Sequence, residues 1–280
     1  MNITETVIRE INSDPFLPWL PNLTEMLVLA ASKQMLTKTQ LELLEYSSSM
    51  FLYNTAPTLR IPLSTIIKKN HYLSVALESI PDSYLLELSS IGIDPVDLDK
   101  AHTIAIIDAI NMAYSYIATD PSLFDTINWL IRSVHIIGTA DPDTDISYSN
   151  PAIPFSIFVS VPDMKFPNAV ERLAESIIHE AMHLQLTLIE NFLPLVSNER
   201  TEFFSPWKGS NRSARGILHA IYVFCSIRAG LSRLTTERNA YIKSRTSQIT
   251  KEMILVKDFP FEQSLTPEGQ LLLRKLIAAA

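Results

Sequence analysis

Two imidazoles four residues apart, with a carboxylate beside the first, form a metal-binding pattern. The chain carries it at His179-Glu180-Ala181-Met182-His183. Side chains at i and i+4 stand on one side of a helix, so both rings can reach one ion. The surrounding residues predict such a helix from about 169 to 190, with Asn168 as its N-cap. Val170, Leu173, Ala174, Ile177, Ile178, Ala181 and Leu184 would face the core. His179 and His183 fall on another side, one turn after Glu175. Ordinary hydrogen bonds would explain one histidine in such a place. A pair at this spacing with Glu inserted is expected to hold a metal.

Spacing alone leaves the metal and its third ligand open. In a zinc hydrolase two His and a third residue hold Zn²⁺, and Glu180 is the general base for the bound water. The longer HExxHxxGxxH pattern is absent, because Leu186 and Ile189 occupy the Gly and third His positions. A gluzincin needs a Glu about nineteen residues on, and Glu202 has that spacing from His183. It precedes Phe203-Phe204-Ser205-Pro206-Trp207, which reads as a loop. The other candidate is His219, inside the apolar run Gly216 to Val223, where an unpaired polar group costs on the order of a few kcal/mol. Arg212 lies seven residues earlier, expected two helical turns back on the same side. There it is placed to clamp the carboxylate of a metal-bound co-substrate.

The elements that must position these residues fall into three zones. Residues 1–131 read as almost entirely helical, over Leu23 to Lys33, Lys38 to Tyr53, Asp82 to Leu88 and Pro95 to Thr119. Pro57, Pro62 and Pro81 fall in the connections, and Asp94-Pro95 reads as a helix start. Over 132–163 the period changes. Val134 to Ile137 and Pro154 to Val161 read as strands around a loop at 140–154, so two or three strands are expected beside the HExxH helix. Residues 164–280 return to helix, at about 213–230, at Leu234 to Leu255, and from Thr266-Pro267-Glu268 onward. The fold class is therefore mainly α (α+β), a helical bundle with a small sheet. Residues 1–131 form a helical N-terminal region and 132–280 the HExxH catalytic region, packed as one compact unit. No internal repeat or low-complexity segment interrupts this.

Composition narrows the function classes. The chain has 280 residues, 6 of them Gly, which argues against glycine-rich phosphate loops. A formal net charge of −7, with no basic run beyond Lys68-Lys69, argues against nucleic acid as a partner. The single cysteine, Cys225, excludes an internal disulfide and reads as a buried small hydrophobe. No basic n-region with an apolar h-region opens the chain, and no stretch of about eighteen residues reads as a bilayer span. The expectation is a cytoplasmic chain with no membrane partner.

Several stretches together resemble one family. They are Glu175 to Glu190 (ESIIHEAMHLQLTLIE), Phe204-Ser205-Pro206-Trp207-Lys208, and Arg212 to Phe224 (RSARGILHAIYVF). Asp145 to Pro162, with Ser149-Asn150-Pro151, and the start Leu265-Thr266-Pro267-Glu268-Gly269 add to them. The chain resembles the HExxH-type iron(II)- and 2-oxoglutarate-dependent peptide β-hydroxylases, many of which act on ribosomally made, modified peptides. The likeness is strong over about 145–230. It implies that His179, His183 and His219 hold Fe(II), with O₂ and 2-oxoglutarate as co-substrates, and that Arg212 binds the distal carboxylate of 2-oxoglutarate. Lys208 stands where the family pattern carries Arg. It keeps the charge without the fork, and Arg215 is the nearby guanidinium that would compensate. Three His ligands would vary the usual two-His-one-carboxylate set, in which Glu202 or Glu180 would supply the carboxylate.

The implied activity is hydroxylation of a β-carbon in a peptide or protein substrate that includes a leader segment in some such systems. Glu180 would then orient a ligand imidazole. Tyr148, Phe204 and Trp207 are candidate walls of a substrate groove near the 140–154 loop and the Ser205 to Lys208 turn. The alternatives are a zinc metallopeptidase of gluzincin type, with Glu180 as base, and a non-enzymatic helical binding protein.

Overall fold

The computed structural model describes residues 2–35, 58–61, 75–78, 80, 82–90, 92–96, 100–138, 144–150, 155–234, 239–256 and 260–279. The helix expected over Lys38 to Tyr53, the connections at Pro57, Pro62 and Pro81, and parts of the 140–154 loop lie outside them. The fold is mainly helical with a small mixed sheet, as expected. The helices are α1 (Ile3–Ile11), α2 (Thr24–Met35), α3 (Asp82–Ser90), α4 (Lys100–Ile117), α5 (Pro121–Leu130), α6 (Ala169–Glu190), α7 (Ala214–Leu234), α8 (Ala240–Val256) and α9 (Pro267–Ala279). The strands are β1 (Thr58–Ile61), β2 (Val75–Glu78), β3 (Asp94–Pro95), β4 (Ser133–Gly138), β5 (Ser147–Tyr148), β6 (Ser156–Val159), β7 (Glu202–Ser205) and β8 (Ser210–Ser213).

The chain divides into a central unit, Val28–Leu184, and a flanking unit made of Met1–Leu27 with Gln185–Ala280. The central unit holds the sheet, in the order β1-β2-β4-β6-β5. β2, β4 and β6 run parallel, while β1 and β5 are antiparallel edges. Strands β4 and β6 are buried nearly throughout, as parallel strands covered on both faces are.

Two expectations for residues 1–131 are corrected here. That region is not almost wholly helical: β2 pairs with β4 across the expected division at 131/132. Asp94-Pro95 does not open a helix. It forms the short strand β3 against Gly138 and Ile137 of β4, and the helix begins at Lys100. Proline's missing N–H is tolerated at a sheet edge as well as in a first helical turn. Pattern alone does not separate the two. Asp120-Pro121 is a genuine helix start, with the Asp120 carboxylate accepting from Leu123 N–H at 3.0 Å.

One face of the sheet buries a polar string. The His135 ring is wholly buried and stacks on Phe158 with centroids 4.5 Å apart. Its Nδ1 lies 3.2 Å from the Glu78 carbonyl and its Nε2 3.3 Å from Ser133 Oγ, which meets Ser156 Oγ at 2.7 Å. The Glu78 carboxylate stands 3.8 Å from Nε2. Burial drives the His135 pKa down to about 4, against the backbone hydrogen bond to Glu78, which raises it. The unfolded chain, with a histidine near 6.5, therefore binds the extra proton first. Stability from this group is complete above about pH 6.5 and falls as pH drops toward about 4, by on the order of 2–3 kcal/mol. Chemical unfolding at steps from pH 6.5 to 4.5 should show a steeper decline in wild type than in His135→Gln. Equal slopes would remove His135 as the cause.

In the flanking unit α7 packs against α8 and α9, and α1 against α9. Helix α7 is long and apolar enough to cross a membrane by length and composition, although, as expected, it is not free of charge and carries Arg215, Arg228 and Arg233. However, 67% of its apolar window is buried inside the protein, so it reads as a core helix. Cys225 on it is buried as expected, with burial pushing its thiol up to about 12. At neutral pH it stays protonated and is no nucleophile.

Candidate functional site

Helix α6 runs over Ala169–Glu190, matching the range read from the hydrophobic period. Leu173, Ala174, Ile177, Ile178 and Ala181 are fully buried on it, as predicted. Asn168 precedes it and its carbonyl accepts from Arg172 N–H at 2.9 Å. Its φ is 66°, a left-handed conformation that Asn tolerates, not the extended backbone of an ordinary N-cap. A bidentate pair, Arg172 to Asp145 at 2.8 and 3.0 Å, ties the loop before β5 to the first turns of the helix.

Buried positions wrap most of α6, and one stripe of half-buried residues remains: His179, His183, Thr187 and Glu190. Their spacing of four, four and three keeps them on one side. The His179 and His183 rings stand 4.9 Å apart between centroids, inclined at 59°. The His179 side chain is 28% exposed. Glu180 points elsewhere and is buried. Its Oε1 accepts a 2.6 Å hydrogen bond from Ser147 Oγ on β5 and lies 3.9 Å from His179 Nε2. The edge strand thus anchors the motif's carboxylate beside the first imidazole. Nothing in the sequence pattern singled out Ser147.

In the flanking unit, Glu190 gathers a guanidinium and an imidazole. Its Oε2 lies 3.0 Å from His219 Nε2, 2.8 Å from Arg215 Nε and 2.7 Å from Arg215 Nη2. Burial alone would raise the Glu190 carboxyl. The hydrogen bonds from His219 and Arg215, with their charges, outweigh it and hold the carboxyl below its ordinary range. His219 is therefore buried with a carboxylate partner, which answers the need that its apolar setting created. Arg215 is engaged by that carboxylate and is not the spare guanidinium expected beside Lys208. Glu190, two turns after His183 on the same stripe, is the partner the sequence reading missed; the repeat of the helical spacing was the available signal.

Arg212 requires a correction. The helix starts at Ala214, so Arg212 is not two helical turns before His219. It lies on β8, opposite Phe203 of β7, in a hairpin closed by Lys208 and Gly209 N–H donating to the Ser205 carbonyl. The stretch read as a loop is this hairpin, with Gly209 at φ 61°. Short polar strands such as Ser-Asn-Arg-Ser have no apolar alternation to reveal them. Arg212 and Lys208 are exposed, and neither has an ion-pair partner among the described residues. Glu202 is an exposed strand residue in register with Ser213.

The expected groove aromatics divide. Tyr148 packs on Phe158 with centroids 5.8 Å apart, and Trp207 stacks on Phe224 at 5.1 Å, so both anchor their loops. Phe204 is 49% exposed.

The donor chemistry fits a divalent metal at the His179–His183 pair: two imidazoles on one stripe with an anchored carboxylate next to them. The Glu190–His219 bond has the form of the carboxylate support that ligand histidines receive. Among the described residues, no group of three His, Cys, Asp or Glu side chains is gathered closely enough to hold an ion. Compared with known proteins, the chain matches no family model and no curated protein.

Proposed function

We propose that the chain is an iron(II)- and 2-oxoglutarate-dependent oxygenase that hydroxylates a β-carbon of a peptide or protein, in the maturation of ribosomally made peptides. The observation that carries the reading is the half-exposed His179–His183 pair, with Glu180 withdrawn and held by Ser147. His179 and His183 are two of the ligands. The family resemblance supplies His219 as the third and Arg212 as the carboxylate clamp, and both roles are tested with it. Iron with its two co-substrates supplies the oxidising chemistry when bound. Glu180, itself held by Ser147, stands beside the His179 imidazole, 3.9 Å from its Nε2. Arg212, with no competing acid among the described residues, offers a planar fork to a carboxylate.

The test is anaerobic. Metal-free protein is loaded with Fe(II) and 2-oxoglutarate, and the weak visible charge-transfer band of the chelated co-substrate is recorded. It should appear in wild type, vanish in His179→Ala and weaken in Arg212→Ala. No band despite stoichiometric metal binding would overturn the reading.

One observation favours zinc hydrolysis as the second reading. Glu180 Oε1 sits 3.9 Å from His179 Nε2, within reach of a water held beside that imidazole. Glu180→Gln separates the two, because a hydrolase loses its base and all activity, whereas an oxygenase loses a support and only part.

A further inference from the structure

Strand β5 closes one edge of the sheet in the central unit. It pairs with β6 on one side, and no described strand lies on the other. Contacts on both faces fix it. On the α6 side, Ser147 Oγ donates to Glu180 Oε1 at 2.6 Å. On the opposite face Tyr148 packs on Phe158, its partner across the ladder. Just beyond the strand, Asn150 Nδ2 donates to the Tyr84 hydroxyl of α3 at 2.8 Å. Just before it, Asp145 holds Arg172 of α6. The edge strand is thereby held to the helix on one face and to the core on the other.

The ladder fixes which way each backbone group of β5 points. Ser147 stands opposite Val159 and Tyr148 opposite Phe158. One step earlier, Ser160 N–H donates to the Ile146 carbonyl at 2.9 Å, and Ile146 N–H donates to Ser160 Oγ at 2.9 Å. Ile146 therefore turns its backbone groups toward β6. In an antiparallel pair such residues alternate with ones that turn both groups away. Tyr148 is in phase with Ile146, and Ser147 is out of phase. The N–H and C=O of Ser147 thus face the open edge, where no backbone group among the described residues bonds them. The side chain of the same residue holds Glu180, whose Oε1 lies 3.9 Å from His179 Nε2. Ser147 therefore joins an outward donor and acceptor to the histidine pair.

An open strand edge is a template for another strand, because its donor and acceptor match those of any extended chain. We propose that the outer edge of β5 takes an extended segment of the peptide substrate as an added antiparallel strand, one residue of which exchanges both backbone hydrogen bonds with Ser147. This rests on reading the histidine pair as a peptide-modifying centre. Antiparallel pairing is the more stable per residue, and only there does one residue make both bonds. The added strand runs about 4.8 Å from β5. Directly opposed residues put their side chains on the same face. The residue opposite Ser147 therefore projects its β-carbon on the α6 face, where Glu180 and His179 lie, and its two neighbours project the other way. Backbone pairing thus selects the residue presented to the histidine pair. It excludes proline at that position, since proline has no N–H to give.

The metal-free full chain is titrated with a dye-labelled, end-blocked hexapeptide of alternating threonine and valine, and with the same peptide N-methylated at every amide. Fluorescence anisotropy reads binding, and amide hydrogen exchange by NMR reads the edge. The unmethylated peptide should bind saturably and slow exchange at the Ser147 amide, leaving Tyr148, already bonded to β6, unchanged. The methylated peptide should bind about tenfold more weakly or worse, the loss expected for one or two hydrogen bonds. Ser147→Ala should bind as wild type does, because the backbone edge survives loss of the hydroxyl. Ser147→Pro deletes the outward N–H while leaving the Ile146 and Tyr148 bonds to β6, and should weaken binding about tenfold. Four results would each overturn the proposal: no saturable binding of the unmethylated peptide, equal binding of the methylated one, undiminished binding in Ser147→Pro, or a Ser147 amide that the peptide does not protect. A Ser147 amide already protected in a dimer would give the last result and assign the edge to a second copy of the chain. The exchange measurement decides even if Ser147→Pro fails to fold. Because no metal is present, the outcome is separate from the charge-transfer test. Peptide bound at the edge without that band refutes the oxygenase alone, and the band without bound peptide refutes the edge alone.

Discussion

A Gly269→Ala chain should be destabilised by about 3 kcal/mol or more, and its unfolding midpoint should fall accordingly. A β-carbon at Gly269 would stand 2.1 Å from the Leu195 carbonyl oxygen and 3.0 Å from its carbon. Both are backbone atoms and cannot rotate away. Several hydrogen bonds lock that backbone where it is. Thr266 N–H donates to the Leu195 carbonyl at 3.0 Å, Thr266 Oγ1 donates to the Pro194 carbonyl at 2.9 Å, and Val196 bridges Leu265. The same Thr266 Oγ1 caps α9 by accepting from Gly269 N–H at 3.1 Å. Making room for one methyl group would disturb the cap and the bridge together. Gly92→Ala is the control. Gly92 has φ 76° but open space around it, so the cost there is the left-handed backbone alone, about 1 kcal/mol. Chemical unfolding of the two variants beside wild type checks the order. Equal losses would show that the contact with Leu195 gives way.

This pair of glycines illustrates what a sequence can and cannot reveal. Thr266-Pro267-Glu268 was readable as a helix start, because N-caps and first-turn prolines work through local chemistry. That Gly269 must lack a side chain depends on Leu195, which lies 74 residues away, and no local pattern reports it. The same distinction runs through the candidate site. Helix α6 and the side carrying His179 and His183 were legible because an apolar face of 3.6-residue period and the i, i+4 spacing are written in one stretch. The hydroxyl of Ser147 on Glu180 and the carboxylate of Glu190 on His219 come from other elements. The placement of Arg212 has a related cause. The helix pattern of Gly216 to Val223 stops short of residues 210–213, whose partner strand, β7, supplies their hydrogen bonds. Asp94-Pro95 failed in the same way, since a strand of two residues exists only through its pairing with β4.

Gln185 is a further case, and its replacement carries the other large stability effect. It lies on α6 two residues after His183 and is fully buried. Its side-chain nitrogen donates to the Trp19 carbonyl and to Thr24 Oγ1, both at 2.7 Å, and its oxygen accepts from the Tyr222 hydroxyl. Burial raises the Tyr222 hydroxyl well above its usual range, so it remains a donor throughout the working pH range. One amide thus fastens the end of α6 to the N-terminal segment and to α7. Gln185→Leu keeps most of the volume but strands the Tyr222 hydroxyl, the Thr24 oxygen and the Trp19 carbonyl away from water. A loss of about 3 kcal/mol is expected, because each stranded group costs on the order of 1–3 kcal/mol and partial relaxation recovers some of it. Tyr222→Phe should cost about 1 kcal/mol, and the double variant should cost less than the two singles added, since the stranded hydroxyl is then gone. Simple additivity in unfolding experiments would sink the network account. The consequence for the histidine pair follows from the helix itself. A turn of α6 is held in phase by its buried anchors, and Gln185 is the polar anchor nearest His183, so, under the proposed metal-binding function, Gln185→Leu should weaken Fe(II) binding even where the protein remains folded.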